Sequence, residues 1–456
     1  MSKLSRRNFI IRSASGLVSA ALPVSLLFSN CKRSEVELPH PTPAQLLWQD
    51  LELGLAYHFD LDVYMPGGHH HERSRKELFD PSLYNPEKLD TDQWLEAAKA
   101  CGARYAFFTA THHQGFLQWQ SDIYPFGLKN ISWKDGKADI VEEFVNSCAK
   151  FGIKPAIYIG IRFNAYMQVY DYKVNWGKGG DENKQAAYRT ICEKIVEELV
   201  SRYGEFVEVW FDGGIPSPEQ GGPDVVQIVQ KYQDKIVYYH SDQLREHRWA
   251  GNEDGIAPYP CWSTVPDMTS KDCHAGDPDG NIWMPAFADT PIRDHEWLWV
   301  PDTEKDLISL DRLTDMYYQS IGRNANLVIG AVPDRNGLIP EVDMIRYREL
   351  GDIIRKRFSN KIGSVHGTGE KINLNLNKPA EINQIVIMED LSKGERIRRY
   401  KVEGFVNNEW QLLCKGISVG HKRIQIISTI KTDRIRLICD EFRENPVVRE
   451  FSVYLV

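Results

Sequence analysis

The chain has 456 residues, of which 42% are hydrophobic and 26% are charged, a composition typical of a globular protein with room for one large and one small domain. Its formal net charge of -8 argues against nucleic acid as a partner, because phosphate binding requires a basic face. The eight cysteines show no CxxC pair and no regular spacing, which argues against a disulfide framework or a zinc site.

Residues 1–33 have the pattern of a targeting segment. Basic residues precede the apolar run GLVSAALPVSLLF, which is too short to cross a membrane as a stop-transfer helix. The run SRRNFI resembles a twin-arginine export signal, and LLFSNC places Cys31 directly after the apolar stretch, as in a bacterial lipoprotein cleavage box. We therefore expect an exported protein, either periplasmic or anchored to a membrane through acylated Cys31, with residues 34–45 as a linker. The alternative is a plain cleaved signal peptide with an incidental cysteine.

Residues 46–358 alternate short apolar runs with longer helical patterns. The predicted strands cover residues 54–60, 103–110, 154–160, 208–214, 235–242, 281–289 and 325–332. The predicted helices include residues 91–101, 138–151, 182–203 and 224–233. Several of the strands are apolar on both faces, as expected for a buried parallel sheet. Repeated strand-then-helix units of this number, with no GxGxxG after the first strand, predict a catalytic (β/α)8-like barrel.

Residues 363–456 follow a different pattern. Short alternating strands such as KINLNLN, INQIVIM and RIRLICD are separated by turn-like clusters, and no long helical pattern occurs. This predicts a small antiparallel β-sandwich. We expect it to pack on the barrel rather than to bind carbohydrate.

Polar residues follow several of the predicted barrel strands. Active-site residues of such barrels lie at the C-terminal ends of strands, and Asp212 ends the apolar run VEVWFDGG beside Trp210. A carboxylate in that environment is costly unless it has a function, so we favour catalysis over a turn or helix-cap role. His58, His112 and His113 end the first and second strands. With no HxH pair or carboxylate at ligand spacing, they are predicted to form hydrogen bonds rather than to bind a metal ion.

A second carboxyl group is available for acid–base chemistry. Glycosidases need two, one at the anomeric carbon and one at the leaving oxygen. Glu253 lies in RWAGNEDG shortly after the fifth predicted strand, so Asp212 and Glu253 on successive loops can supply the pair. Asp254 is an equal candidate on spacing alone. The run GGHHHER (67–73) is predicted to be a solvated or weakly metal-binding loop.

From about residue 46 to the C-terminus, the chain resembles the α-L-fucosidases of glycoside hydrolase family 29. The stretches that carry the resemblance are AYHFD, DTDQWLEAAKACGARYAFFTATHHQGFLQW, ADIVEEFVNSCAKFGIKPAIYIG, SRYGEFVEVWFDGG, RWAGNEDG, NANLVIGAVPDRNGLIP and GERIRRYKVEGF. The RWAGNEDG stretch resembles the subgroup with narrower linkage preference. The resemblance implies a retaining exo-glycosidase that needs no cofactor or metal and acts on terminal α-L-fucose of oligosaccharides or glycoconjugates.

The same resemblance implies roles for individual residues. Asp212 would be the nucleophile and Glu253 the general acid/base. His58, His112 and His113 would bind fucose hydroxyl groups. Tyr158 and Trp210 would line the sugar site, and Trp297 would lie against the C5 methyl group.

Three departures from the family pattern surround the sugar ring. Thr111 and Gln114 flank the histidine pair where the family usually has Lys and Asp, MPGGHHHERSR lacks the usual Glu-Trp pair, and GIRFNAY replaces the usual Ser-Pro-Trp-type ending. The carboxylates are retained, so the departures leave the choice of sugar open. One alternative is an α-L-galactosidase, which a polar group near Trp297 would favour. The other is a non-catalytic carbohydrate-binding lipoprotein, against which the presence of both carboxylates argues.

Overall fold

The structure is a computed structural model that describes residues 37–174, 182–241, 244–268 and 273–456. The predicted targeting segment with Cys31, and the first residues of the predicted linker, lie outside the described residues. Within the described part of the chain, no helix has both the length and the apolar character needed to cross a membrane.

Eight parallel strands form the first sheet. They are β1 (Leu53–Tyr57), β2 (Tyr105–Thr111), β3 (Lys154–Ile159), β4 (Glu208–Ile215), β5 (Val237–Ser241), β6 (Arg248–Trp249), β7 (Ala286–Thr290) and β8 (Ala325–Ala331). Their order in the sheet is β5-β4-β3-β2-β1-β8-β7-β6, so β1 pairs with β8 and β5 and β6 end the hydrogen-bonded order. This is the neighbour relation of a (β/α)8 barrel and confirms the predicted fold class.

The strands are buried because side chains cover both of their faces. Every residue of β1, β2 and β8 is buried, which explains why these segments are continuous apolar runs. The two-residue strand β6 is too short to produce a sequence pattern, and the sequence analysis missed it. Glu253 therefore follows the sixth strand and not the fifth, and it is not on the loop next to that of Asp212. The predicted strand 281–289 also divides, because Ile282–Trp283 pairs with Thr264–Val265 in a separate ribbon.

Eight α-helices accompany the strands in the described residues. They are α1 (Pro43–Leu51), α2 (His71–Lys76), α3 (Thr91–Cys101), α4 (Ile140–Phe151), α5 (Glu182–Arg202), α6 (Val225–Tyr232), α7 (Leu310–Gln319) and α8 (Glu341–Ser359). Local sequence sets their ends: the Asp90 side chain accepts from the first-turn amides of α3, and Gly102 closes that helix at φ 88°. Short 3-10 helices lie at Leu61–Tyr64, Pro81–Leu83, Leu128–Asn130, Trp133–Gly136, Pro218–Gln220, Glu304–Asp306 and Leu391–Lys393, and a small ribbon joins Val169–Tyr170 to Lys173–Val174.

The C-terminal part is antiparallel, as the sequence predicted. Its strands are β9 (Lys361–Thr368), β10 (Lys371–Glu389), β11 (Ile397–Val406), β12 (Glu409–Gly416), β13 (Arg423–Phe442) and β14 (Val447–Tyr454), in the order β9-β14-β10-β13-β11-β12. Register shifts interrupt the long β10–β13 pairing, between Asn375 and Ala380 and between Ile382 and Gln384. Such shifts bend strands, and the strands enclose a second apolar core as a β-sandwich.

The β-sandwich contacts the barrel at the N-terminal end of β1. Glu52, which directly precedes β1, lies 2.8 Å from His421 Nε2 and 2.5 Å from Lys422 Nζ. Burial acts to raise the pKa of Glu52, but Lys422 and His421 outweigh it and bring that pKa down to about 2. This contact is at the opposite end of β1 from His58, so it holds the two parts together away from the strand ends that carry function.

A buried ion pair fixes the segment that follows β7. Arg293 Nε lies 3.2 Å from Asp343 Oδ2 of α8, and both side chains are fully buried. Removing one member of a buried pair leaves an unpaired charge, so we expect Arg293→Met to lower the free energy of unfolding by about 3 kcal/mol. Urea denaturation followed by circular dichroism measures this.

The matched control is Arg399→Met, which breaks a surface pair between Arg399 and Glu441 whose side chains are 57% and 56% exposed. We expect that change to cost less than about 1 kcal/mol. Equal effects of the two substitutions would contradict the assigned importance of the Arg293–Asp343 pair.

Candidate active site

A cavity of about 590 Å³ opens at the C-terminal ends of the barrel strands. All eight residues predicted to form the site line it: His58, His112, His113, Tyr158, Trp210, Asp212, Glu253 and Trp297. They come from five strands or the loops after them and from the segment after β7, which places them together as the barrel rule predicts. The cavity walls also contain residues that the sequence analysis did not select, among them Asp289, Trp249, His71 and Arg75.

Asp212 is a half-buried residue of β4 that lines this cavity. The two glycines after it adopt left-handed backbone angles, with φ 69° at Gly213 and 87° at Gly214, so the chain turns directly behind the carboxylate. A Cβ atom on Gly213 would lie 2.6 Å from Arg162 Cδ, so a larger residue would also have to displace the Arg162 side chain. Burial, followed by the charge of Asp212 and a hydrogen bond to it, raises the pKa of Tyr158 well above its ordinary value. Tyr158 is therefore a neutral donor beside this carboxylate.

Glu253 lies at the exposed rim of the cavity. Its loop is fixed to β7 on both sides, because Ala250 N donates to Phe287 O at 2.8 Å and Gly255 N donates to Asp289 O at 2.9 Å. A second cavity of about 290 Å³ also borders Glu253 and is lined by Asp254, Pro291, Asp294 and His295. Asp254, the competing acid of the sequence analysis, belongs to the lining of this smaller cavity. Glu253 thus lines both the larger, aromatic cavity and the smaller one beside it.

Asp62 orients one of the buried histidines. Its Oδ2 lies 2.9 Å from His112 Nδ1 and accepts a hydrogen bond from Ser74 Oγ at 2.7 Å. Burial opposes ionisation of Asp62, but the hydrogen bond and charge of His112 outweigh it, and the pKa of Asp62 lies below its ordinary value. An ionised carboxylate only accepts hydrogen bonds, so Nδ1 of His112 carries the proton and Nε2 is the nitrogen available to a ligand.

Several polar atoms around the cavity lack partners among the described residues. They are both ring nitrogens of His113, Nε1 of Trp210 and Oγ1 of Thr111. Burial lowers the pKa of His113 well below its ordinary value and that of His58 to about 3, so both rings are neutral. Unpaired buried polar atoms are costly, and aromatic rings line the remaining walls. The cavity therefore suits a ligand that carries hydroxyl groups together with an apolar face.

Asp62, His112 and His113 also form the one group in the described residues that could hold a metal ion, with ligand atoms within 4.8 Å of one another. The sequence analysis found no carboxylate beside the histidine pair, because Asp62 comes from the 3-10 helix after β1 and reaches His112 only in the folded chain. Its Oδ2 already accepts two hydrogen bonds, from His112 and Ser74. This use of the carboxylate favours orientation of His112 over ion binding.

The prediction that GGHHHER (67–73) is a solvated or weakly metal-binding loop is wrong in one respect: its second half is helical, although His71 is exposed. His71 and Glu72 belong to α2 and line the cavity, together with Arg75 of the same helix. Arg75 lies 3.1 Å from Glu72 and stacks over the Phe163 ring at 4.4 Å. No sequence pattern signals this, because the wall forms only when the segment folds back across the barrel mouth.

Gln114 holds in place the cavity wall that α2 forms. Its Nε2 donates to Ser74 O at 2.6 Å and to Glu77 O at 2.8 Å, while its Oε1 accepts from Phe79 N at 2.9 Å. The glutamine is fully buried, so its departure from the family pattern has a structural role. It fixes α2 over the cavity rather than contacting a ligand.

Asp289 is a third carboxyl group of the cavity and was missed by the sequence analysis. It lies near the end of β7, is 5% exposed, and its Oδ1 accepts a hydrogen bond from Trp249 Nε1 at 2.5 Å. A usable signal was present, because Asp289 closes the predicted strand 281–289 in the same way that Asp212 closes its own apolar run.

Comparison with known proteins gives consistent matches over the barrel and the sandwich. The family model described as Alpha-L-fucosidase matches residues 48–357. Alpha-L-fucosidase 1 of Arabidopsis thaliana is 26% identical, over 92% of this chain and 88% of its own length. A crystal structure of a proposed α-L-fucosidase from Bacteroides thetaiotaomicron is 43% identical with a TM-score of 0.90, covering 92% of this chain and all of that one. A glycoside hydrolase 29 family member from an unknown rumen bacterium is 28% identical, covers 92% of this chain and 78% of that one, and has a TM-score of 0.77.

The Asp62–His112 contact predicts the protonation pattern of one imidazole ring. In ¹⁵N-correlated NMR spectra of the side-chain nitrogens, we expect His112 to carry a proton on Nδ1, the nitrogen that faces Asp62. Asp62→Ala removes the acceptor and should produce a mixture of the two tautomers. Asp122→Ala, at an exposed aspartate, is the control and should leave the His112 signals unchanged. Identical His112 signals in wild type and Asp62→Ala would contradict the orienting role.

Proposed function

The chain belongs to the α-L-fucosidase family, glycoside hydrolase family 29, and from this premise we propose how it acts. It removes terminal α-L-fucose from fucosylated oligosaccharides or glycoconjugates with retention of anomeric configuration. Asp212 is the nucleophile, and Glu253 is the general acid/base. The observation that carries the assignment is that these two carboxyl groups face one cavity from β4 and from the loop after β6.

The different surroundings of the two carboxyl groups suit different roles. Asp212 is half-buried beside neutral Tyr158, where a carboxylate is held by a hydrogen-bond donor and can attack. Glu253 is exposed at the rim, where it can exchange a proton with water between steps. Since Glu253 also borders the smaller cavity, the fucose ring occupies the larger, aromatic-lined cavity and the leaving group extends towards the smaller one.

Two displacements give the retained product. In the first, an Asp212 oxygen bonds to the anomeric carbon, the glycosidic bond breaks, and Glu253 gives its proton to the departing oxygen. In the second, Glu253 takes a proton from water, the water oxygen bonds to the anomeric carbon, and the bond to Asp212 breaks. Retaining enzymes hold the two carboxyl groups about 5–5.5 Å apart, the separation expected here in the sugar complex.

The remaining cavity residues bind the sugar ring in this proposal. The unpartnered nitrogens of His113 and the free Nε2 of His112 meet hydroxyl groups, as does His58. Trp297 lies 5.1 Å from His58 between ring centroids and supplies an apolar face for the C5 methyl group. Trp210 and Tyr158 complete the floor.

One observation supports α-L-galactoside as a second substrate. Asp289 of β7 places a polar group in the cavity that Trp297 also lines. α-L-Galactose has a hydroxyl group on C6 that fucose lacks. The presence of both Asp212 and Glu253 in this chain makes a purely sugar-binding role the weaker alternative.

The leader supports export, with Cys31 as the lipid-anchored residue, so we place the enzyme in the periplasm or on a membrane surface.

Substitution of the nucleophile provides the direct activity test. Asp212→Ala should lower kcat for an aryl α-L-fucoside by roughly 10⁴-fold, because no group remains to form the glycosyl-enzyme. Added azide should restore part of the turnover and yield fucosyl azide of inverted configuration, since the small anion enters on the face vacated by Asp212. Azide product of retained configuration would contradict the assignment.

Two single substitutions decide whether Glu253 or Asp254 is the general acid/base. Glu253→Ala should lower kcat/KM by roughly 10²- to 10⁴-fold for a fucosylated oligosaccharide, whose leaving group needs protonation. The loss should be much smaller for an aryl fucoside with a strongly acidic phenol, which departs unaided. Asp254→Ala is the control and should keep activity towards both substrates. If Asp254→Ala loses activity towards the oligosaccharide and Glu253→Ala does not, the acid assignment is wrong.

A further inference from the structure

Asp289 is a buried acid of the cavity for which the two-carboxylate mechanism has no use. It faces the cavity from β7, and only 5% of it is exposed. The indole N–H of Trp249 occupies Oδ1 at 2.5 Å and fixes the side chain. The backbone of the same residue holds the Glu253 loop through Gly255. The carboxyl group is therefore rigidly positioned next to the general acid and open to the ligand.

The charges around Asp289 are of its own sign. Glu253 approaches from the loop after β6 and Asp212 from β4, while Tyr239 of β5 contributes a neutral phenol. No ion pair to Asp289 occurs among the described residues. Burial first, and the charges of Glu253 and Asp212 in addition, raise the pKa of Asp289 to about 8 even though the Trp249 hydrogen bond acts in the opposite direction. At neutral pH the group is mostly a neutral carboxylic acid with one O–H to donate.

We propose that Asp289 is a third functional carboxyl group of the site, which hydrogen-bonds a hydroxyl group of the sugar in the larger cavity and so determines which sugar is accepted. This inference rests on the proposed glycosidase function. Trp249 holds one oxygen of the group, and because the carboxyl group lines the cavity we assign the other oxygen to the ligand. A neutral acid can donate to a hydroxyl group without adding a negative charge beside the Asp212 carboxylate.

The test compares three variants on a set of sugars. Asp289→Ala removes the contact, Asp289→Asn keeps its shape and hydrogen-bonding atoms, and Asp311→Ala changes an exposed aspartate of α7 as the control. The substrates are the aryl α-L-fucoside, its 2-, 3- and 4-deoxy analogues, and the aryl α-L-galactoside. Wild type and Asp212→Ala are assayed in parallel.

The expected result is a loss that depends on one hydroxyl group. Asp289→Ala should lower kcat/KM by about 30-fold on the preferred parent sugar, and the loss should shrink to under about threefold when the contacted hydroxyl group is absent. Asp289→Asn should recover part of the loss. If the contact is to the C6 hydroxyl, the α-L-galactoside shows the large loss and the fucoside the small one. An equal loss on every sugar, or none, overturns the inference.

A second measurement does not depend on turnover. The infrared difference spectrum between wild type and Asp289→Asn at pH 6 should contain the C=O band of a protonated carboxyl group, which disappears as the pH is raised past about 8. Absence of the band at pH 6 overturns the inference. Failure of the proposed function looks different: wild type then cleaves none of the sugars, or Asp212→Ala retains activity. If only the Asp289 results are negative, the Asp212–Glu253 mechanism stands.

Discussion

The parallel arrangement of eight strands is the constraint on which the site depends. Because every strand runs in the same direction, its C-terminal end opens at the same mouth, and residues far apart in the sequence meet there. Asp212 of β4, Asp289 of β7 and the His112–His113 pair after β2 line one cavity for this reason. The barrel backbone itself positions the site residues, so few further contacts are needed to hold them in place. The loop with Glu253 is held by two amide hydrogen bonds to β7, and the sandwich binds at the opposite end of β1.

Burial divides the ionisable groups of the cavity into distinct states. Burial keeps His58 and His113 neutral and keeps Asp289 protonated. Asp62 stays ionised because His112 and Ser74 donate hydrogen bonds to it. The cavity can therefore contain several carboxyl groups without accumulating negative charge in a low-dielectric space. Unpaired nitrogens, neutral acids and aromatic faces together match a sugar better than a charged ligand. The assignment of hydroxyl recognition follows from this pattern of protonation.

The sequence predicted the features that follow from hydrophobic periodicity and from the rule that active-site residues of barrels lie at the C-terminal ends of strands. Continuous apolar runs identified seven of the eight barrel strands, and strand-end position selected Asp212 and the histidines. Strand β6 was missed because two residues carry no period, and the loop order of Glu253 was wrong as a result. The wall built by α2 depends on Gln114, whose three hydrogen bonds join segments that are distant in sequence, and no local pattern records such contacts. Asp289 closes a predicted strand as Asp212 does, so strand-end position could have identified it as well.

The central claim is that Asp212 forms a covalent bond to the sugar during turnover. It is tested most directly with 2-deoxy-2-fluoro-L-fucosyl fluoride, whose good leaving group allows the first displacement while the fluorine slows the second. Mass spectrometry of the digested protein should place one added fluorofucosyl group on the peptide that contains Asp212. Label on Glu253 or Asp289 instead, or hydrolysis with inversion and no label, would contradict the account.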